Sequence, residues 1–77
     1  MADIQSPVPG TFYHRPSPED VPFKSAGDDV AVGDTIGLVE VMKSFIEVQA
    51  EEAGTFGGYS IENEGAVSAG DTLATLK

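Results

Sequence analysis

The sequence has no cysteine, no tryptophan and one histidine, and it has only four basic residues against thirteen acidic ones. Without cysteine, a disulfide framework, a thiolate metal site and a thiol nucleophile are all excluded. A zinc site at the one histidine, His14, would need an unusual set of carboxylate ligands, so we expect His14 to face solvent or to pack in a loop. The formal charge of −9 argues against nucleic acids and membranes as partners, because binding to phosphates needs clustered lysine and arginine.

Long apolar runs are also missing. The first ten residues, MADIQSPVPG, include Asp3 and contain neither the apolar core of a signal peptide nor a membrane span. At 77 residues the chain is long enough for one small core. We therefore expect a single domain over residues 1–77, located in the cytoplasm.

Motifs for catalysis or metal binding are absent from the sequence. The glycine-rich GTFGGYS lacks the Lys-Ser/Thr ending of a phosphate-binding loop, and Asp28, Asp29 and Asp34 do not follow the spacing of a calcium loop. No set of nucleophile, base and orienting residue is evident. We expect no catalytic residues and no metal ligands, and hence a protein that is not itself an enzyme.

Glycine and proline interrupt the chain every few residues, and no window has the apolar spacing of an amphipathic helix. Short runs rich in β-branched and aromatic residues predict strands instead. These runs are VPGTFY, DTIGLVEV, FIEVQA, GTFGGYSI and DTLATL. The pattern predicts an all-β fold.

An internal repeat divides the chain into two similar halves. PGTF at residues 9–12 recurs as AGTF at 53–56, and VAVGDTIGLVE at 30–40 recurs as VSAGDTLATLK at 67–77. The offsets are 44 and 37, so the first half holds 44 − 37 = 7 extra residues between Phe12 and Val30. This interval contains the proline-rich HRPSPEDVP, which predicts a stiff protruding insertion at about residues 14–22.

Stacking of two such halves, related by a pseudo-two-fold axis, buries one apolar face from each. We expect the core between the sheets to include residues from both halves. The predicted core residues are Ile36, Leu38, Ile46, Val48, Phe56 and Leu73.

The two halves join at VMKSF, where a lysine interrupts an apolar stretch. If the strand ending near Val41 pairs with the strand beginning near Phe45, then Met42, Lys43 and Ser44 form the tip of a hairpin. A surface lysine that discourages edge pairing is one interpretation. The other is a lysine that accepts a covalent group, because a protonated amine is inert until an enzyme deprotonates it.

These features together resemble biotin carboxyl carrier domains. VEVMKSF is similar to the EAMKM biotinylation motif, with Lys43 at the position of the biotinyl-lysine. SPVPGTFYHRPSPEDVPF resembles the segment that leads into the protruding thumb of the carrier protein of bacterial acetyl-CoA carboxylase, and VAVGDTIGLVE resembles the strand before the acceptor. The resemblance extends from about Ser6 to Leu76.

The resemblance implies a flattened β-barrel or sandwich of two four-stranded antiparallel sheets with pseudo-two-fold symmetry and a thumb loop. It implies covalent biotin on Lys43, with Met42 and Ser44 recognised by biotin protein ligase. The implied role is to carry carboxybiotin between the biotin carboxylase and the carboxyltransferase of an acyl-CoA carboxylase, with acetyl-CoA as the expected acceptor, in fatty acid synthesis.

Two alternatives remain open at the level of sequence. A lipoyl carrier of a 2-oxoacid dehydrogenase or of the glycine cleavage system shares this fold and its tip lysine, although an acidic residue usually precedes that lysine, whereas Met42 does so here. An unmodified β-barrel adaptor would retain the fold without any cargo.

Overall fold

The computed structural model describes residues 2–77, which form eight strands and no helix. No helix in this part of the chain is long and apolar enough to cross a membrane. The strands are β1 (Ala2–Gln5), β2 (Gly10–Tyr13), β3 (Asp29–Val30), β4 (Thr35–Val41), β5 (Ser44–Gln49), β6 (Gly54–Tyr59), β7 (Gly65–Val67) and β8 (Thr72–Leu76).

The strands form two four-stranded sheets, and all their pairings are antiparallel. The first sheet has the order β1-β8-β6-β3, and the second has the order β5-β4-β2-β7. Each strand of the first half corresponds to the strand four places later in the chain, so that β1 corresponds to β5, β2 to β6, β3 to β7 and β4 to β8. Exchanging the corresponding strands converts one sheet order into the other. The sheets are therefore related by a pseudo-two-fold axis, and the predicted fold class is confirmed.

The two Gly-Asp turns show the same symmetry in atomic detail. Asp34 accepts a hydrogen bond from the backbone N–H of Ala31 at 2.9 Å, and Asp71 accepts one from the N–H of Ser68 at 2.8 Å. The preceding glycines have φ values of 92° and 89°, in the left-handed region that glycine tolerates best. The pKa of the Asp34 carboxyl is lowered, mainly by the hydrogen bond from the N–H of Ala31 and to a smaller extent by the hydrogen bond from Lys24.

The core lies between the inner faces of the two sheets. Its largest fully buried side chains include Phe12 and Phe56, which occupy equivalent positions in the repeat. The Phe12 ring packs against Gly37, where a Cβ atom would overlap the ring. The buried apolar residues are Ile4, Phe12, Val30, Ile36, Val39, Val48, Ala50, Phe56, Val67, Leu73, Ala74 and Leu76.

The core prediction was wrong for Leu38, because β4 contains a bulge, and for Ile46, because β5 is an edge strand. Opposite β5, Thr35 pairs with Gln49 and Gly37 pairs with Val48, which leaves Ile36 as an extra residue. One extra residue reverses the alternation of side chains along a strand.

As a result, both Ile36 and Val39 are buried, whereas Leu38 is half-buried on the outer face of the second sheet. Ile46 lies on the edge strand β5 and is 36% exposed. The other four predicted core residues are buried.

Strands β1, β3 and β7 were not among the runs predicted to be strands. All three lie at sheet edges, and they contain four, two and three residues respectively. A short edge strand has one neighbour and carries little apolar patterning, so its sequence signal is weak.

Candidate functional site

Lys43 lies in a two-residue turn between β4 and β5. Val41 pairs with Ser44, so Met42 and Lys43 alone form the hairpin tip. Their φ values are 50° and 69°, and two consecutive positive φ values are typical of a type I′ turn. Ser44, which the sequence suggested as part of the tip, is the first residue of β5 and is exposed there.

The hairpin tip carries neither of the residues that such a turn favours. Type I′ turns prefer Asn-Gly, and the left-handed conformation costs other residues roughly 1–2 kcal/mol each. Strained backbone of this kind concentrates at functional sites. The fold holds Met42 and Lys43 in this conformation because the ladder between β4 and β5 continues up to the turn.

Exposed apolar side chains adjoin the hairpin tip. Met42 is 93% exposed and Phe45 is 58% exposed, and Phe45 lies on the outer face opposite Glu40. Ile46 is 36% exposed, but it pairs with the buried Val39 and so belongs to the other face of the edge strand. Exposed apolar side chains of this kind commonly mark a site of protein recognition. Lys43 therefore projects from a surface that suits contact with another protein.

The outer face of the second sheet continues from Phe45 towards β2. Tyr13 is paired with Leu38, and Glu40 is paired with Phe45. The Tyr13 hydroxyl donates a 2.8 Å hydrogen bond to Glu40, and its ring lies 5.9 Å from that of Phe45. The hydrogen bond to Glu40, and then burial, raise the pKa of Tyr13.

Residues 14–22, here called the thumb loop, leave the end of β2. The loop is closed by a 2.8 Å hydrogen bond from the N–H of Phe23 to the carbonyl oxygen of His14. A further turn inside it is held by hydrogen bonds between Ser17 and Asp20. The thumb loop is thus a closed excursion from the sheet.

His14 anchors the base of the thumb loop. Its N–H donates to the side-chain oxygen of Asn63 at 2.7 Å, and its ring Nε2 lies 2.6 Å from the carbonyl oxygen of Ile61. The ring also stacks on Tyr59 with 3.7 Å between centroids and 9° between planes. Sequence reasoning predicted nothing of this anchor beyond the expectation that His14 faces solvent or packs in a loop.

Between the thumb loop and the outer face of the second sheet lies a groove of about 450 Å³, here called the thumb groove. Its walls are largely apolar, and it reaches Phe45, two residues after Lys43. The lining residues are Tyr13, Arg15, Pro16, Ser17, Pro18, Leu38, Phe45, Asn63 and Glu64.

Metal binding finds no support in residues 2–77, where no cluster of His, Cys, Asp or Glu side chains is able to hold an ion. The one salt bridge in this part of the chain joins Lys24 to Asp34 at 3.2 Å. Lys24 also donates to the carbonyl oxygen of Asp29 at 3.0 Å, so it fastens the segment after the thumb loop to the first Gly-Asp turn.

The chain matches the biotin/lipoyl family model, described as "Biotin-requiring enzyme", over residues 2–76. The chain is 36% identical over 74 residues to the biotin carboxyl carrier protein of acetyl-CoA carboxylase from Haemophilus influenzae, covering 96% of this chain and 48% of that protein. The protein of the same name from Porphyra purpurea is 38% identical over 76 residues, covering 99% and 48%. The chain thus spans about half the length of these relatives.

A solved structure is also similar. It is the crystal structure of an aspartoacylase family protein from Mesorhizobium loti, with a TM-score of 0.73 and 27% sequence identity. The match covers 96% of this chain and 24% of that one. The two-sheet arrangement therefore also occurs as one part of a larger chain.

Proposed function

Since this chain belongs to the biotin/lipoyl family, whose model matches nearly all of it, we propose that it is a biotin carrier domain with Lys43 as the attachment residue. The observation that carries the assignment is the exposed lysine in the strained hairpin tip, with exposed Met42 beside it. Attachment would join the carboxyl carbon of an activated biotin to the deprotonated Nζ of Lys43 as an amide. The bond between that carbon and the activating group would break, the activating group would leave with the electron pair, and the nitrogen would give up one proton.

The residues around the hairpin tip fit such a cargo. The thumb groove offers apolar walls to a bicyclic ring, and Ser17, Arg15 and Asn63 bring hydrogen-bonding groups to it. Arg15 also brings a positive charge to the groove lining, and its Nε is buried without a hydrogen-bond partner among residues 2–77. Bound biotin supplies a ureido ring that holds a carboxyl group.

The carrier role follows from the tether. A group fixed to Lys43 is confined near the surfaces that the domain contacts, and its effective concentration there replaces free diffusion. The names of the similar proteins support a carrier of acetyl-CoA carboxylase. We propose that this carrier serves fatty acid synthesis. In this proposal the domain is a non-catalytic cytoplasmic component, and its partners are biotin carboxylase, carboxyltransferase and biotin protein ligase.

We assign recognition by the ligase to the side chains that flank Lys43. Met42 is almost fully exposed, and Ser44 is exposed at the start of β5. Phe45 extends this surface along the outer face of the edge strand β5. A partner that contacts this surface would bring its active site to Nζ of Lys43 without unfolding the domain.

Intact mass after co-expression with a biotin protein ligase tests the assignment. We expect one biotinyl group per chain, mapped by peptide analysis to Lys43, and none in Lys43→Arg, which keeps the fold because the side chain is exposed. Lys77→Arg is the matched control and should remain biotinylated. Biotin on Lys24 or Lys77 would contradict the proposed site. A protein that gains no biotin but gains the mass of a lipoyl group after incubation with a lipoyl ligase would be a lipoyl carrier. No added mass with either ligase would identify an unmodified adaptor.

A further inference from the structure

Arg15 is the one positively charged residue that lines the thumb groove. Its Nε is buried, and its N–H meets no acceptor among residues 2–77. The salt bridge of this part of the chain involves Lys24 and leaves Arg15 without a carboxylate partner. Because Nε is closed to solvent, a ligand in the groove would meet the other two nitrogens of the guanidinium, whose charge no carboxylate in this part of the chain offsets.

The charge distribution makes Arg15 exceptional. The chain has four basic residues and a formal charge of −9, and Lys24 already faces Asp34. Acylation of Lys43 converts its amine into a neutral amide, which removes that positive charge. Lys77 exchanges backbone hydrogen bonds with Thr55 of the first sheet, whereas the thumb groove lies on the outer face of the second sheet. In the biotinylated protein, Arg15 would thus be the cation that remains beside the cargo.

The tether is long enough to reach the groove. Phe45, which lines the groove, follows Lys43 by two residues of β5, or about 7 Å at the usual strand rise. A lysine side chain has a four-carbon stem, and the amide continues into another aliphatic chain. The thumb groove therefore lies within reach of a ring attached at Lys43.

We propose that Arg15 gives the thumb groove a preference for the carboxylated over the uncarboxylated cargo, through hydrogen bonds from its guanidinium to the carboxylate on the ureido nitrogen. This inference rests on the proposed biotin attachment. The uncarboxylated ureido ring is neutral, whereas its carboxylated form is an anion that matches the planar fork of an arginine. Glu64, the carboxylate in the groove lining, opposes this preference by repelling the anion.

The experiment loads biotinylated, ¹⁵N-labelled protein in situ with biotin carboxylase, ATP and ¹³C-bicarbonate. The first readout is the Nε–Hε resonance of Arg15 in apo, biotinylated and carboxylated protein. We expect a shift on carboxylation that exceeds the shift on biotinylation. The second readout is the loading equilibrium, taken as the ratio of carboxylated to uncarboxylated carrier by ¹³C signal at fixed ATP, ADP, phosphate and bicarbonate.

Arg15→Gln should lower this ratio about three- to tenfold, the range expected for a charge-assisted hydrogen bond that is partly open to solvent. Glu64→Gln should raise it, and Arg15→Lys should restore part of the loss because it keeps the charge without the fork. Lys77→Gln makes the same change in net charge away from the groove and should leave the ratio unchanged.

Equal ratios for Arg15→Gln and Lys77→Gln, or an Arg15 resonance that carboxylation does not move, would overturn the role of Arg15. If Arg15→Gln does not fold, the resonance in the unaltered protein decides the question. Failure of the proposed function appears earlier and separately, as the absence of biotin from Lys43 in the intact mass.

Discussion

At the scale of single residues, the two halves differ most clearly at Tyr59. In the second half, the N–H of Ser60 donates to the carbonyl oxygen of Leu73 at 2.8 Å. The equivalent carbonyl of the first half belongs to Ile36, and there the donor is the Tyr59 hydroxyl at 2.7 Å. A side chain thus satisfies a backbone group of a buried residue beside the thumb loop.

Replacing Tyr59 by Phe should therefore destabilise the domain. The Ile36 carbonyl would lose its donor, which costs about 1–3 kcal/mol for a buried polar group. Urea denaturation measures the loss. Tyr13→Phe is the matched control, because its hydroxyl bonds to the side chain of Glu40 on the outer face, and it should cost less. An equal loss in the two variants would show that the Ile36 carbonyl finds another donor.

At the scale of elements, the bulge in β4 decides which side chains form the core. The same irregularity occurs in the other half, where β1 pairs Ile4 with Ala74 and Gln5 with Thr72, leaving Leu73 as the extra residue. Ile36 and Leu73 are equivalent in the repeat, and both are fully buried. Each bulge thus turns one additional apolar side chain inward.

Truncation of Leu73 and of Leu38 should show the difference between a core side chain and one on the outer face. Leu73→Ala removes a fully buried side chain and should cost about 2–5 kcal/mol, whereas Leu38→Ala removes a half-buried side chain on the outer face and should cost about 1 kcal/mol. Urea denaturation of both variants, at equal slope, gives the comparison. Comparable losses would mean that Leu38 packs as part of the core after all.

The thumb loop is the other element whose role can be tested. Its three prolines restrict the backbone, and Phe23 and His14 meet at its base, so removal of residues 16–22 should leave a short connection and an intact fold. We expect this deletion to be biotinylated normally and to transfer carboxyl groups more slowly. We also expect amide signals of residues 15–20 to shift between apo and biotinylated protein.

The control for the deletion is its own biotinylation rate, measured with the same ligase, since the hairpin tip is unchanged. Identical spectra in the apo and biotinylated forms, together with full transfer activity of the deletion, would show that the thumb loop plays no part in holding the cargo.

At the scale of the whole molecule, charge limits stability. Thirteen acidic residues face four basic ones, and residues 2–77 contain one salt bridge. Repulsion among exposed charges weakens a compact state and is screened by salt. A small domain has a free energy of unfolding of only about 5–15 kcal/mol, so this repulsion is a sizeable part of the balance.

Added salt should therefore raise the melting temperature. If screening restores about 1 kcal/mol between roughly 20 mM and 500 mM NaCl, the midpoint should rise by about 4–8 °C. Thermal unfolding followed by circular dichroism measures it. The double variant Glu51→Gln, Glu52→Gln removes two exposed charges and should respond less to salt. A melting temperature that falls with salt would mean that favourable ion pairing dominates.

The sequence alone determined the all-β class, the two related halves and the hairpin that places Lys43 at their junction. These features depend on local patterns: apolar alternation, glycine and proline punctuation, and a repeat whose two copies confirm each other. Such patterns can be recognised in the sequence because the residues that produce each of them lie close together in the chain.

Only the tertiary structure decided which face Leu38 occupies, how the Ile36 carbonyl is satisfied and what lines the thumb groove. A bulge is defined by the register of two strands, and Ile36 becomes the extra residue only opposite Gln49 and Val48. Likewise, Arg15 shares a groove with Phe45 because the thumb loop packs against the outer face of the second sheet. These contacts join residues that are distant in sequence. The sequence does not reveal them because the pairing register and the packing of the loop are fixed only when the whole chain folds.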